Sequence, residues 1–102
     1  MIYHFYISDL SFLYDLPKLS SLFLRETTLT DISCLDGLHI VVLHLVENYD
    51  LEDYSVLMQM KYLRVLYVDY ETLDKLNIEE LKKFNPKLTI WVEQENGKAI
   101  KL

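Results

Sequence analysis

A short apolar phrase recurs four times along this chain of 102 residues, and it constrains the fold more than any other feature. Each copy consists of an apolar residue, two variable residues, an apolar residue, one variable residue and a third apolar residue. The copies begin at Ile2, Leu19, Ile40 and Leu63. A motif that returns every ~20 residues is typical of a solenoid, because one repeat cannot bury its apolar edge without a neighbour. We therefore predict an α/β solenoid whose parallel sheet takes one short strand from each repeat.

The second copy, residues 16–38, shows how one coil is built. Leu22 and Leu24 alternate with variable neighbours, as a short strand requires. Four apolar residues then recur every three positions, at Leu29, Ile32, Leu35 and Leu38. That spacing predicts 3₁₀ or tight helical turns on the return path.

This segment resembles the leucine-rich repeat family, whose consensus is L-x-x-L-x-L-x-x-N-x-L. Its L-x-D-I-x-x-L-x-x-L tail is similar to the short class, of about 22 residues per repeat, found in internalins and in a eukaryotic phosphatase regulator. The resemblance implies a parallel sheet on the concave face and 3₁₀ or helical turns on the convex side. The family's asparagine position is occupied by Thr27, Asn48 and Glu71 in copies two to four. The resemblance therefore implies that Asn48 bonds backbone groups of an adjacent coil.

The repeat predicts a single domain, 1–102, with coils at about 1–16, 17–38, 39–60 and 61–84 and a C-terminal strand and cap at 85–102. Asn77 and Glu80 have capping-box spacing, which predicts a true helix in the last coil. For the strand that follows, the sequence allows two registers that differ by one residue. Asn96 and Gly97 favour a two-residue hairpin turn, so that the last residues fold back as a cap.

The first strand begins at the start of the chain without a comparable cap. Ile2, Phe5 and Ile7 supply its apolar residues, and Tyr6 aligns with Phe23 of the second copy. The uncapped edge predicts either a longer solenoid or an edge that another chain covers. For the second case we expect a homodimer formed through Tyr3 and Phe5.

The formal net charge of −6 argues against nonspecific binding to nucleic acid or to anionic membranes. The single cysteine, Cys34, excludes an intramolecular disulfide. The N-terminal residues lack the pattern of a secretion signal, and no uncharged apolar run approaches the ~18 residues of a membrane span. We therefore expect a cytoplasmic protein.

Side chains that alternate with the inward leucines are expected on the concave face. The central column holds an aromatic ring or an imidazole in every coil, which predicts a continuous strip because neighbouring strands lie about 4.8 Å apart. Such a strip with apolar neighbours and a polar rim is typical of a protein-binding surface. The predicted partner-binding residues are Tyr6, Phe23, Arg25, Val42, His44, Val46, Val65, Tyr67, Asp69 and Tyr70. Aromatic and β-branched residues also suit strands for stability alone, and that interpretation stays open.

No pattern for catalysis, a metal or a cofactor is found. His4 and His44 are expected roughly 10 Å apart, too far to share a zinc ion. Cys34 lies beside inward positions of the return path, which favours a structural thiol over a nucleophile. The two glycines, Gly37 and Gly97, form no phosphate-binding loop. We predict that the protein is not an enzyme and has no cofactor.

The first functional hypothesis is a small protein-interaction module, such as an inhibitor, antagonist or immunity-type protein, whose partner carries a basic surface. The alternative is a structural protein that self-associates through its N-terminal edge strand. A weaker alternative is an acidic mimic of nucleic acid that occupies a basic cleft, although the 16 acidic residues are scattered along the turns.

Overall fold

The computed structural model describes residues 3–4, 19–25 and 27–102, the first pair by its backbone only. The described strands form one six-stranded sheet in chain order, parallel from β1 to β5 and antiparallel between β5 and β6. The strands are β1 (Tyr3–His4), β2 (Ser21–Arg25), β3 (Val42–Val46), β4 (Val65–Asp69), β5 (Thr89–Glu93) and β6 (Ala99–Lys101). The molecule is thus a small α/β protein with a mostly parallel sheet and few helices.

One face of the sheet carries the core. In β2, β4 and β5, fully buried residues alternate with half-buried ones, as a strand with one covered face requires. The strand residues that enter the core have no exposed surface and are Leu22, Leu24, Leu43, Leu45, Leu66, Val68, Ile90 and Val92. The inward positions predicted from the repeat are confirmed in β2 to β4. In β5 the pattern resolves the two registers, since Ile90 and Val92 point inward.

The connections after β2 and β3 return through short 3₁₀ helices, Ser33–Leu35 and Ser55–Gln59. Each begins with the same hydrogen bond, in which an aspartate accepts from the N–H two residues later. Asp31 accepts from Ser33 at 2.8 Å, and Asp53 accepts from Ser55 at 2.9 Å. This side-chain turn fixes the start of the 3₁₀ segment. The 3₁₀ turn predicted in the second copy is confirmed.

The connection after β4 is helical. The helix α2 (Ile78–Phe84) begins at Asn77, whose side-chain oxygen accepts a hydrogen bond from the N–H of Glu80 at 3.2 Å. The predicted N-terminus is confirmed. A second short helix, α1 (Tyr70–Leu73), was not predicted.

Two buried asparagines bond backbone groups next to a neighbouring strand. The amide of Asn48 donates to the carbonyl oxygen of Leu24 at 2.9 Å, and its oxygen accepts from the N–H of Thr27 at 3.1 Å and from the hydroxyl of Thr27. Two of these partners are backbone groups at and just after β2, as the resemblance implied for Asn48. Asn85, which precedes β5, makes a further bond that the sequence did not indicate, from its amide to the carbonyl oxygen of Leu63 before β4, at 2.6 Å.

The C-terminal hairpin pairs β6 with β5, so the predicted fold-back of the last residues is confirmed. Its loop is one residue longer than predicted. The N–H of Gln94 bonds the carbonyl oxygen of Lys98 at 2.8 Å, which leaves residues 95–97 as a three-residue loop. Gly97 takes a φ of 82°, a conformation that its missing Cβ permits.

The register of the first strand differs from the prediction. Tyr3 pairs with Phe23 and His4 with Leu24, so Tyr3 takes the place that the repeat assigned to Tyr6. Apolar and aromatic residues occupy both alternate sets of positions in 2–7, so the pattern does not determine which set faces the core. Phe5 and Tyr6 lie outside the described residues. Among the described residues, no helix is long and apolar enough to cross a membrane.

Candidate functional site

The face of the sheet opposite the core, here called the open face, carries two rows of side chains that cross strands β2 to β5. The strand registers pair Phe23 with His44, His44 with Tyr67 and Tyr67 with Trp91, and two residues further along they pair Arg25 with Val46 and Asp69 with Glu93. The aromatic row consists of Phe23, His44, Tyr67 and Trp91. The polar row, two residues further along each strand, consists of Arg25, Val46, Asp69 and Glu93.

Rings of the aromatic row meet edge to face. The ring centroids of Phe23 and His44 are 4.8 Å apart with an interplanar angle of 89°, and those of His44 and Tyr67 are 4.7 Å apart at 76°. These distances and angles are those of favourable aromatic pairs. The strip predicted from the sequence therefore exists in β2 to β4. Trp91 extends it to β5, which the sequence did not indicate because the register of that strand was open.

His44 is buried, contrary to the expectation that it lies exposed in the strip. Only 8% of its surface is accessible, because the rings of Phe23 and Tyr67 cover it from both sides. Burial, and secondarily the charge of Arg25, lower the pKa of His44 below its ordinary value. The imidazole is therefore neutral near pH 7. Neither of its ring nitrogens has a hydrogen-bond partner among the described residues.

A groove of about 290 Å³ opens beside His44. Its wall is apolar except for the imidazole and one carboxylate. The lining residues are Phe23, Val42, His44, Tyr67 and Glu93. This surface, called the aromatic groove below, gathers four of the predicted binding residues and adds Glu93.

An ion pair closes the polar row. The guanidinium of Arg25 binds both carboxylate oxygens of Glu93, at 2.9 and 3.1 Å, and reaches Glu47 at 3.4 Å. Arg25 lies on β2 and Glu93 on β5, so their side chains cross the two strands between them. This bidentate geometry is the stronger kind of arginine–carboxylate contact.

Val46 is fully buried, so its assignment to the exposed patch is wrong. It does not belong to the apolar core either. Its place in β3, between the strands of Arg25 and Glu93, puts it under the path of the ion pair. We attribute the burial of this open-face valine to these two side chains of its own sheet.

Asp69 stabilises the backbone at the end of the polar row. Its carboxylate accepts hydrogen bonds from the N–H of Thr72 at 2.9 Å, at the start of α1, and from the N–H of Glu47 at 3.0 Å. Glu47 has a φ of 61°, which is uncommon outside glycine, and this bond supports it. Burial alone raises the pKa of Asp69, but the hydrogen bonds from Thr72 and Glu47 outweigh it and lower the pKa below 3.8.

A second depression, of about 390 Å³, lies at the carboxyl ends of the strands and shares Glu93 with the aromatic groove. It contains five carboxylates and one guanidinium. Its charged and aromatic lining residues are Arg25, Glu47, Tyr49, Asp69, Tyr70, Glu71, Glu93 and Glu95. Tyr49 and Tyr70 are 61% and 49% exposed. We call this surface the acidic depression.

The remaining predicted residues are placed as follows. Val65 is half-buried next to the aromatic row, and Val42 pairs with it across β3 and β4. Tyr3 lies in the terminal strand of the sheet, and Tyr6 and Phe5 fall outside the described residues. Cys34 is half-buried against the core. In the described part of the chain, no group of three or more histidine, cysteine, aspartate or glutamate side chains is arranged to hold a metal ion.

Comparison of this chain with protein-family models, with characterised proteins and with solved structures finds no match. The functional argument therefore depends on the geometry of the open face.

Proposed function

We propose that this protein is a short leucine-rich-repeat solenoid that binds another protein through its open face and catalyses no reaction. Three features support the solenoid. The strands are parallel neighbours in chain order, two connections return through 3₁₀ helices, and Asn48 bonds the backbone of the preceding coil. In such a solenoid the open face is the concave one.

The observation that carries the binding proposal is the aromatic groove. Phe23 and Tyr67 are half-buried in the free protein, so a partner that fills the groove would remove their remaining surface from water. Aromatic side chains at the centre of an interface often supply most of its binding energy. Since the strands fix both rings, binding would immobilise little additional structure.

The acidic depression supports a partner with a basic surface. Five carboxylates lie around one guanidinium there, next to the groove. Opposite charges on the two surfaces would increase the rate of association and orient the complex. A chain this small that presents one binding face suits a cytoplasmic inhibitor, antagonist or immunity-type protein that blocks a larger target.

The test is affinity capture from a lysate of the native host, read by mass spectrometry, with wild type beside a Phe23→Ser/Tyr67→Ser variant. We expect one protein to be captured by the wild type and lost with the variant. The matched control is Tyr62→Ser/Phe84→Ser, which removes the same two side-chain types from positions 42% and 40% exposed outside the groove. The control should capture the same protein, and circular dichroism should show that all three are folded. Equal capture by wild type and groove variant contradicts the proposal.

The second candidate function is self-association. It is favoured by one observation: β1 is the terminal strand of the sheet, and its outer edge has no neighbouring strand among the described residues. If wild type captures no protein and sediments as a dimer, this candidate replaces the first.

A further inference from the structure

We infer that the aromatic groove takes a single basic side chain, lysine or arginine, from the partner. The inference rests on the proposed function and specifies the chemistry of its anchor. The apolar stem of that side chain lies along the rings of the groove, and its charged end reaches Glu93 and the acidic depression.

The shape and lining of the groove suit a side chain that is apolar along its length and polar at its tip. Phe23, Val42 and Tyr67 form apolar walls, and Glu93 stands where the groove meets the acidic depression. Lysine and arginine have this arrangement, because a stem of methylene groups carries the charge. The face of an aromatic ring also attracts a cation, and the apolar surface of the ring suits the methylene stem.

The imidazole of His44 is an independent indication that a polar group enters here. It is more than nine-tenths buried, it lines the groove, and both of its nitrogens lack a hydrogen-bond partner among the described residues. An unsatisfied buried polar atom is costly, and a bound donor would relieve that cost. Because the pKa of His44 is lowered, the ring is neutral and one nitrogen is an acceptor. The rings of Phe23 and Tyr67 cover the imidazole in the free protein, so an ammonium or guanidinium group reaches that nitrogen only when one of these rings moves aside.

The charges around the groove select a cation over an anion. The acidic depression next to it holds five carboxylates and one guanidinium, and that guanidinium already binds Glu93. A carboxylate from a partner would meet excess negative charge. A basic side chain instead finds Glu71 and Glu95, whose side chains lie at the rim, and competes with Arg25 for Glu93.

The test uses random dodecapeptides displayed on phage, selected on immobilised wild-type protein and depleted on the Phe23→Ser/Tyr67→Ser variant. We expect the enriched peptides to share one lysine or arginine with apolar neighbours. A synthetic peptide from this set should bind at least about tenfold more weakly when its basic residue is replaced by citrulline or norleucine, which keep the shape and remove the charge. Its affinity should also fall as salt rises.

Two protein variants locate the contact. Glu93→Gln should lower the affinity for the peptide by about tenfold. Glu79→Gln, the same change at an exposed glutamate of α2, should leave that affinity unchanged. His44→Phe, which fills the same place without a hydrogen-bonding atom, should weaken it by a smaller factor.

Enriched peptides without a basic residue, an unchanged affinity with citrulline, or no enrichment at all would overturn the inference. The capture experiment separates this failure from that of the proposed function. If a host protein is lost with the Phe23→Ser/Tyr67→Ser variant while the selected peptides lack a basic residue, only the basic anchor fails. If both experiments are negative, the proposed function fails as well.

Discussion

The two rows on the open face differ although the same strands build them. In the aromatic row, neighbouring rings touch by their edges and leave a groove beside them. In the polar row, the long side chains of Arg25 and Glu93 bind each other across the sheet, and Val46, whose strand lies between theirs, is fully buried. One row has its surface available to a partner, whereas the other is occupied by the chain itself.

The difference shows that position on an open sheet face does not determine exposure. Val46 and Val65 both lie on that face, but Val46 is fully buried and Val65 is half-buried. The decisive factor is the length and charge of the neighbours in the same row. When two long side chains bind each other across several strands, a residue of a strand between them is buried even on the open face.

The largest expected effect separates these two valines. Val46→Ser should lower the free energy of unfolding by about 2–3 kcal/mol, because it removes buried methyl groups and buries a hydroxyl. Val65→Ser, the same change at a half-buried position, should cost about 1 kcal/mol or less. Urea unfolding of both variants measures the difference. Equal losses would mean that the ion pair does not cover Val46 in solution.

A smaller effect is expected for the ion pair itself. A double-mutant cycle of Arg25→Met and Glu93→Gln should give a coupling free energy of about 1–2 kcal/mol, since the pair is bidentate and its side chains are only 23% and 16% exposed. The control cycle uses Lys75→Met and Glu52→Gln, a pair whose glutamate is 77% exposed. There we expect less than about 0.5 kcal/mol. Equal coupling free energies in the two cycles would show that the Arg25–Glu93 pair is as exposed to solvent as the control pair.

The smallest effect is a difference in pH dependence between the rows. The pKa of His44 is lowered from 6.5 by burial, so the folded state resists protonation and stability falls as the pH drops below about 6.5. The pKa of Asp69 is lowered from 3.8, so its contribution is complete above that value and is lost only as the pH falls through the folded pKa.

Urea unfolding at a series of pH values tests both contributions. His44→Phe should remove the loss between about pH 7 and pH 5, and Asp69→Asn should reduce the loss below about pH 4. Part of the loss of stability at low pH should remain in Asp69→Asn, because bonds to Ser33 and Ser55 also lower the pKa values of Asp31 and Asp53. A wild-type loss near pH 6 that persists in His44→Phe would contradict the buried, neutral imidazole.

Local patterns predicted most of the framework. Inward apolar residues two positions apart indicated β2, β3 and β4, as Leu22 and Leu24 do in β2, because a strand with one covered face has a period of two. Asn77 indicated the start of α2, since its side chain satisfies a backbone N–H that the helix leaves free. These features depend on neighbours in sequence or on a repeated core position.

What the sequence did not reveal depends on contacts across strands. We attribute the burial of Val46 to the pairing of Arg25 with a glutamate 68 residues away, and no periodicity indicates that pairing. The register of β1 was missed because apolar residues fill both faces of its segment. Trp91 was left out of the strip because either of two registers suited its strand.

The amide of Asn48 has a consequence for how the chain could be shortened. It is the partner of Leu24 and Thr27, so a chain that stopped after Val46 would retain the pairing of β2 with β3 and lose the groups that satisfy the backbone after β2. At the opposite ends of the strands, the carbonyl oxygen of Leu63 is likewise bonded by a later residue, Asn85. These two backbone segments are therefore satisfied by residues synthesised after them, and during translation the segment after β2 gains these hydrogen bonds only when Asn48 has left the ribosome.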